Sequence, residues 1–299
     1  MRTPFWLGAP LAAALASTVA SSPAAAQAVP DTVTDRDADH GATAGRNVFA
    51  HDYLIVGAGA ANLPSYDSAR GYKLNPAAGI MGKLHGIGIN ARSAGIALDF
   101  IDDQPGQKLS YQLGPVLRWR GGRPTKVEDP QVQRVGGVKG NVEAGINAGV
   151  AVHRLLDAYD SLTLSCDVRW DVSGGTGGRT IAPAVAYSTP VSHHQIVGLS
   201  GGMDFYNEKY MQLNYGISPI GSANSGLPVY LPNGGLRNYS ARLYTAYSLS
   251  GPLQQGGWYL AGTIGYTHLL GSADRSPLAA SGVRGHVLGA LAIAYAFRV

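Results

Sequence analysis

From residue 50 to the C-terminus, apolar and polar positions alternate with a period of two, segment after segment. Val142, Ala144, Ile146, Ala148, Val150 and Val152 share one face. Asn141, Glu143, Gly145, Asn147, Gly149 and His153 share the other. Leu162, Leu164, Cys166, Val168 and Trp170 repeat the pattern against Thr163, Ser165, Asp167, Arg169 and Asp171, and residues 239–249 and 287–299 repeat it again. Strict alternation bounded by turn residues predicts β-strands. We place strands near 51–61, 74–84, 86–99, 108–119, 138–152, 160–171, 179–189, 195–206, 209–217, 236–249, 257–268 and 284–298. That gives twelve, with ten as the alternative because 74–84 and 209–217 alternate poorly.

Aromatic residues decide which solvent the strands meet. Tyr111, Trp119, Trp170, Tyr187, Tyr239, Tyr247, Trp258 and Tyr266 stand near strand ends on the apolar face. A water-soluble sandwich concentrates its aromatics mid-strand. Aromatics near both ends of roughly ten-residue strands match the two girdles of a transmembrane barrel. Lipid leaves no partner for a free strand edge, so the sheet has to close. The expected fold is all-β: an antiparallel outer-membrane-type barrel over 50–299. Long connections (120–137, 218–235, 269–283) alternate with short ones (near 85, 153–159, 190–194, 250–256). Barrel termini normally face the periplasm, which sends the long loops outward.

The first residues read differently. Arg2, the Ala-rich apolar run Phe5–Val19 and the small residues Ser21–Ala26 form a secretory signal peptide over 1–26, cut after Ala26. Residues 27–49, with Asp31, Asp35, Asp37 and Asp39, read as a flexible mature N-terminus. Alanines on the lumen side of the last strand leave room for such a tail.

Composition narrows the function classes. Charged residues are 14% of the 299, against about 25% in an average soluble domain. The net charge is only +4 and no run of five Lys or Arg occurs, so nucleic acid is not an expected partner. The single cysteine, Cys166, excludes an internal disulfide framework and alternates with the apolar face.

Catalytic and metal readings are weak. Adjacent residues such as His193 and His194 point apart, which disfavours one shared metal. Asp102-Asp103 reads as a solvated loop pair. Gly57-Ala58-Gly59 lacks the third glycine of a dinucleotide loop, since Asn62 stands there and Leu63-Pro64 blocks the receiving helix. No catalytic residue, metal site or cofactor is assigned. The polar faces offer lumen candidates instead: Glu143, Asp167, Arg169 and Arg242, with Gln112, Arg118, Asn141, Asn147 and Asp171. They are expected either to line a pore or to fill the barrel as an ionic network.

Several stretches resemble the MipA/OmpV family of outer-membrane proteins. The most specific is Tyr210-Met211-Gln212, Tyr215-Gly216-Ile217, Ser222 and Ser225-Gly226-Leu227-Pro228-Val229-Tyr230. Val56-Gly57-Ala58-Gly59 with Leu63-Pro64-Ser65-Tyr66, Leu113-Gly114-Pro115-Val116-Leu117, and Tyr266 with Leu269–Leu278 add to it. The chain ends on Val299 where such barrels usually end on Phe or Trp. The resemblance implies an outer-membrane location facing lipid. It also implies a non-enzymatic scaffold joining a murein lytic transglycosylase to a bifunctional, penicillin-binding murein synthase. A passive or selective solute channel is the alternative.

Overall fold

The computed structural model describes residues 47–103, 106–174 and 177–299. The signal peptide over 1–26 and the leader up to residue 46 lie outside the described residues. Twelve antiparallel strands follow in order: β1 (Tyr53–Pro64), β2 (Tyr72–Leu84), β3 (Ile87–Arg92), β4 (Gly95–Asp99), β5 (Leu109–Arg120) and β6 (Asn141–His153). After them come β7 (Ser161–Asp171), β8 (Arg179–Pro190), β9 (Gln195–Tyr206), β10 (Gly235–Ser248), β11 (Gly257–Leu269) and β12 (Gly285–Arg298). Each pairs with its sequence neighbour, and β12 pairs back onto β1 to close the barrel. No helix among the described residues is long and apolar enough to cross a membrane.

Burial is inverted relative to a water-soluble sheet. Ile146, Leu164, Leu199 and Leu243 are each more than half exposed on the outer surface. Their strand neighbours Asn147, Glu143 and Thr163 are about 1% exposed inside. An apolar exterior over a polar interior is stable only where hydrocarbon is the outer solvent. Trp119, Trp170, Tyr239 and Tyr266 ring the end away from the termini. Tyr111, Tyr187, Tyr247, Trp258 and Tyr295 ring the terminal end, where Trp258 and Tyr295 meet edge to face at 4.9 Å.

The twelve-strand count holds, although two of the expected strands differ. The stretch 86–99 is a hairpin of two short strands, β3 and β4, and not one long strand. Its turn is Ser93-Ala94, with Ala94 in the left-handed region at φ 52°. The preceding turn, His85-Gly86, has both φ positive (51° and 80°), the geometry of a tight primed hairpin. The stretch 209–217 is helical, not a strand. Asn207 caps it by accepting from the Tyr210 amide, and Tyr210, Met211 and Tyr215 fall on one helical face. That helical spacing explains its poor alternation.

Five short helices fold the long loops: α1 (Pro130–Val135), α2 (Glu208–Tyr215), α3 (Pro219–Ser225), α4 (Gly271–Asp274) and α5 (Pro277–Ser281). Three begin with a capping side chain followed by proline: Asp129-Pro130, Ser218-Pro219 and Ser276-Pro277. The cap accepts an otherwise orphaned amide, and proline has none to orphan. These loops all lie at the end away from the termini. The turns at the terminal end are short, and there Phe49 packs inside on Tyr259 and Ala296. The last residues of the expected leader are thus seated against the alanine face of β12.

Candidate functional site

The long loops form a folded cap over one mouth of the barrel. Tyr206, Tyr210, Met211, Tyr215, Leu269, Ala273 and Ala279 make one apolar cluster. Val132, Ile217 and Leu278 make a second, flanked by Tyr66, Leu227 and Tyr230. Side-chain to backbone bonds stitch the loops together. Ser276 Oγ donates to Tyr215 O at 2.7 Å, Tyr230 Oη to Ser272 O at 2.7 Å, and Ser272 Oγ to Asn233 O at 2.5 Å. Gly226 ends α3 at φ 75°, a conformation that glycine takes without a Cβ penalty.

Most of the stretches quoted for the family resemblance meet here. Tyr210, Met211 and Tyr215 are buried under the cap, and Tyr230 bridges to Ile217. Gly216 closes α2, its amide donating to Gln212 O. Gln212 itself faces outward to Glu208. Tyr66 and the 269–278 loop pack on the same clusters. Pro228 is exposed, and Leu113–Leu117 lies in the wall.

An ionic network ties the cap to the lumen. Glu143 Oε1 accepts from Tyr210 Oη at 2.6 Å and from Arg120 Nη1 at 3.4 Å. Its Oε2 accepts from Arg169 Nε at 2.9 Å. Arg169 continues to Asp167 at 2.7 Å, which also holds Arg92 at 3.4 Å and the Asn147 amide at 2.6 Å. A second node joins Arg237 to Asp67 at 2.5 Å, to Asp204 at 3.3 Å and to Tyr215 Oη at 2.7 Å. Tyr215 Oη donates to Asp67 at 2.7 Å. Arg120 and Arg237 both stack on Tyr206, with ring-centroid distances of 4.6 and 5.0 Å. The loop groups register this setting. Burial pushes the Asp67 carboxyl up, but the Arg237 and Arg120 guanidiniums outweigh it and hold it well below the ordinary carboxylate range. Burial, partly opposed by Arg120, leaves the Tyr210 phenol pushed up to about 12.

The lumen candidates lie as follows. Glu143, Asp167 and Arg169 meet in one network. Gln112 and Asn147 are buried beside it, and Asn141 accepts from Tyr210 Oη. Arg242 and Arg118 face the lumen without an ion-pair partner among the described residues, each with a buried, unsatisfied Nε. Asp171 sits at the rim, where it accepts from Ser173. Sequence reasoning missed Arg92, Asp67, Asp204, Arg120 and Arg237, because their partners come from strands and loops far away in the chain.

The residues weighed for chemistry lie as follows. Asp102 pairs with Lys83 at 2.7 Å, and Asp103 accepts from the Tyr111 amide. Ser110 Oγ and His153 Nε2 lie 2.9 Å apart, both buried in the wall, and satisfy each other. Cys166 faces outward between Ala148 and Pro183. Among the described residues no group of three or more His, Cys, Asp or Glu side chains has metal-binding geometry.

Comparison with known proteins adds three findings. Among solved structures, the chain is similar to an outer membrane channel from Pseudomonas putida F1, with 14% identity over 87% of this chain and 99% of that one and a TM-score of 0.45. It is similar to an anion-selective porin from Comamonas acidovorans, with 12% identity over 82% and 98% of the two chains and a TM-score of 0.35. No curated protein matches it. The family model described as MltA-interacting protein MipA matches residues 56–297, which is nearly the whole barrel. This outer-membrane barrel belongs to the MipA family.

Proposed function

We propose that the protein is a non-conducting barrel that docks murein-processing enzymes at its periplasmic end. The first partner is a murein lytic transglycosylase of the MltA kind, in line with the family's name. A penicillin-binding murein synthase is the second. Export is directed by the signal peptide over 1–26, which is cleaved after Ala26. The observation that carries this reading is the filled lumen. Gln112, Glu143, Asn147, Thr163 and Arg169 are all nearly inaccessible, and the cap is bonded to them through Tyr210.

The terminal end offers a fixed presenting surface. In the 154–160 turn, Asp160 accepts from the amides of Leu155, Leu156 and Asp157 and from Tyr187 Oη. Burial raises this carboxyl, and those four donors outweigh it and hold it below its ordinary value. The turn thereby holds Leu156 80% exposed, next to Leu155. A rigid apolar tip is a low-entropy anchor for a soluble partner.

Three measurements test the reading. In planar bilayers the purified barrel should give no conductance steps; stable ohmic steps would favour the channel reading, for which the unpaired lumen guanidiniums of Arg118 and Arg242 speak. Envelope crosslinking should capture a lytic transglycosylase, and the double variant Leu155→Ser, Leu156→Ser should reduce that capture while the barrel still folds. N-terminal sequencing of the mature protein should begin at Gln27.

A further inference from the structure

The barrel wall is not uniform. Strands β3 and β4 have six and five residues, while the other strands have eleven to fourteen. β3 pairs with β2 only at Gly82, Lys83 and Leu84, so Tyr72–Met81 has no partner on that side. Pro76 lies in this one-sided stretch, where a missing N–H costs least. Above the Ser93-Ala94 turn the wall is replaced by a cavity of about 240 Å³. Loop 64–68, the top of β5 and the cap residues Asn214 and Tyr215 enclose it. Trp119 forms part of its rim and belongs to the aromatic girdle at this end, so the cavity opens at the depth of lipid headgroups.

Its lining is strongly cationic. Arg118, Arg120, Arg123 and Arg237 face it, against one carboxylate, Asp67. Three of the four arginines are engaged. Arg120 holds Glu143, Arg237 holds Asp67 and Asp204, and Arg123 donates to the carbonyls of Gly136 and Asn214. Arg118 has no ion pair among the described residues, and its Nε is buried with no partner. A guanidinium left unsatisfied in a sheltered site is costly, and an oxyanion that accepts from its planar fork removes that cost. The surplus of positive charge in the lining suits a dianion better than a single carboxylate.

We propose that this cavity is a binding site for a phosphomonoester-type oxyanion, with Arg118 as its principal ligand and Arg123 and Arg237 as flanking donors. The group comes either from free phosphate or from a lipid headgroup in the adjacent leaflet. The proposal is independent of the docking role at the opposite end.

The test uses the full mature protein, purified in a zwitterionic detergent and phosphate-free buffer. Inorganic phosphate is titrated by calorimetry. In a second arm, mixed micelles carrying phosphatidic acid are compared with micelles carrying phosphatidylcholine. Saturable phosphate binding that Arg118→Gln weakens at least tenfold, with partial retention in Arg118→Lys, supports a free-anion site. Binding of phosphatidic acid alone, lost in Arg118→Gln, assigns the site to headgroups. Arg118→Gln removes an unpaired charge, so it should fold and, without phosphate, melt no lower than the parent. Absence of binding in both arms, or equal binding by parent and Arg118→Gln, overturns the proposal. A melting midpoint of Arg118→Gln clearly below the parent's also overturns it, since Arg118 would then already be satisfied within the protein.

Discussion

The sector from β5 to β9 and the β3–β4 hairpin belong to the same barrel but are held in different ways. In the first, ladders run nine to twelve residue pairs and the lumen side is packed with Glu143, Arg169, Asp167 and their partners. In the second, three pairs join β2 to β3 and three join β4 to β5. There Asn90, Arg92 and Asp99 turn inward, while beside them on β2 Gly79 has open space where a side chain would project. Closing the sheet therefore requires every strand to find a neighbour, but not along its whole length. A short hairpin satisfies closure and still leaves a recess beside the cap.

Removing Glu143 breaks the stronger sector most severely. Glu143→Ala leaves the buried Arg120 and Arg169 without their shared acid and Tyr210 with only Asn141 as acceptor. Losing one partner of a buried ion pair costs about 3–5 kcal/mol. The midpoint of heat-modified migration should fall sharply, and cap residues 207–234 should become open to protease from the outside. An unchanged midpoint would show that the network contributes nothing to holding the cap.

A matched glycine pair sharpens the comparison. A Cβ at Gly59 would lie 2.0 Å from the Leu291 carbonyl oxygen in the fully laddered β1–β12 seam. Nothing lies within 4 Å of a Cβ at Gly79. Gly59→Val should cost about 1–3 kcal/mol through overpacking. Gly79→Val should stay within about 0.5 kcal/mol of the parent. Equal losses at the two sites would show that the open space beside β2 is not a real difference from the packed seam between β1 and β12.

The smallest effect is set by pH. Asp67 keeps 41% of its side-chain surface, yet its Oδ2 is clasped by Arg237 and Tyr215. Its folded carboxyl titrates below the ordinary value of about 3.9, so its contribution is complete above that value and is lost as pH falls below it. Amide protection in the cap should therefore stay level from neutral pH to about pH 5 and decline below about pH 4. Asp67→Asn should start lower and lack that decline. A parent profile identical to the Asp67→Asn profile would remove Asp67 from the cap's anchoring.

Much of the barrel was legible from residues 50–299. Alternation in Val142–Val152 and Leu162–Trp170 located β6 and β7, and the same pattern marked Glu143, Asp167 and Arg169 as lumen-facing. The β3–β4 hairpin was not legible from turn chemistry, because Ser93-Ala94 carries neither Asn-Gly nor Gly; its one mark in the sequence is the shift of the apolar set from the odd positions Ile87 and Ile89 to the even positions Ile96 and Leu98. The cap helices were partly legible. Asp129-Pro130, Ser218-Pro219 and Ser276-Pro277 are helix starts that a reading tuned to period two passes over.

Neighbouring residues alone fix the period and the inverted solvent preference, because each depends on positions one or two apart; the count of twelve agrees only because the split of 86–99 into two strands offsets the loss of 209–217 to a helix. Tertiary structure alone decided that Tyr210 reaches Glu143, that Asp67 meets Arg237, and that Arg118 is left without a partner. Those meetings join residues dozens to more than a hundred positions apart, and only the closure of the barrel and the folding of the loops over its mouth fix their distances.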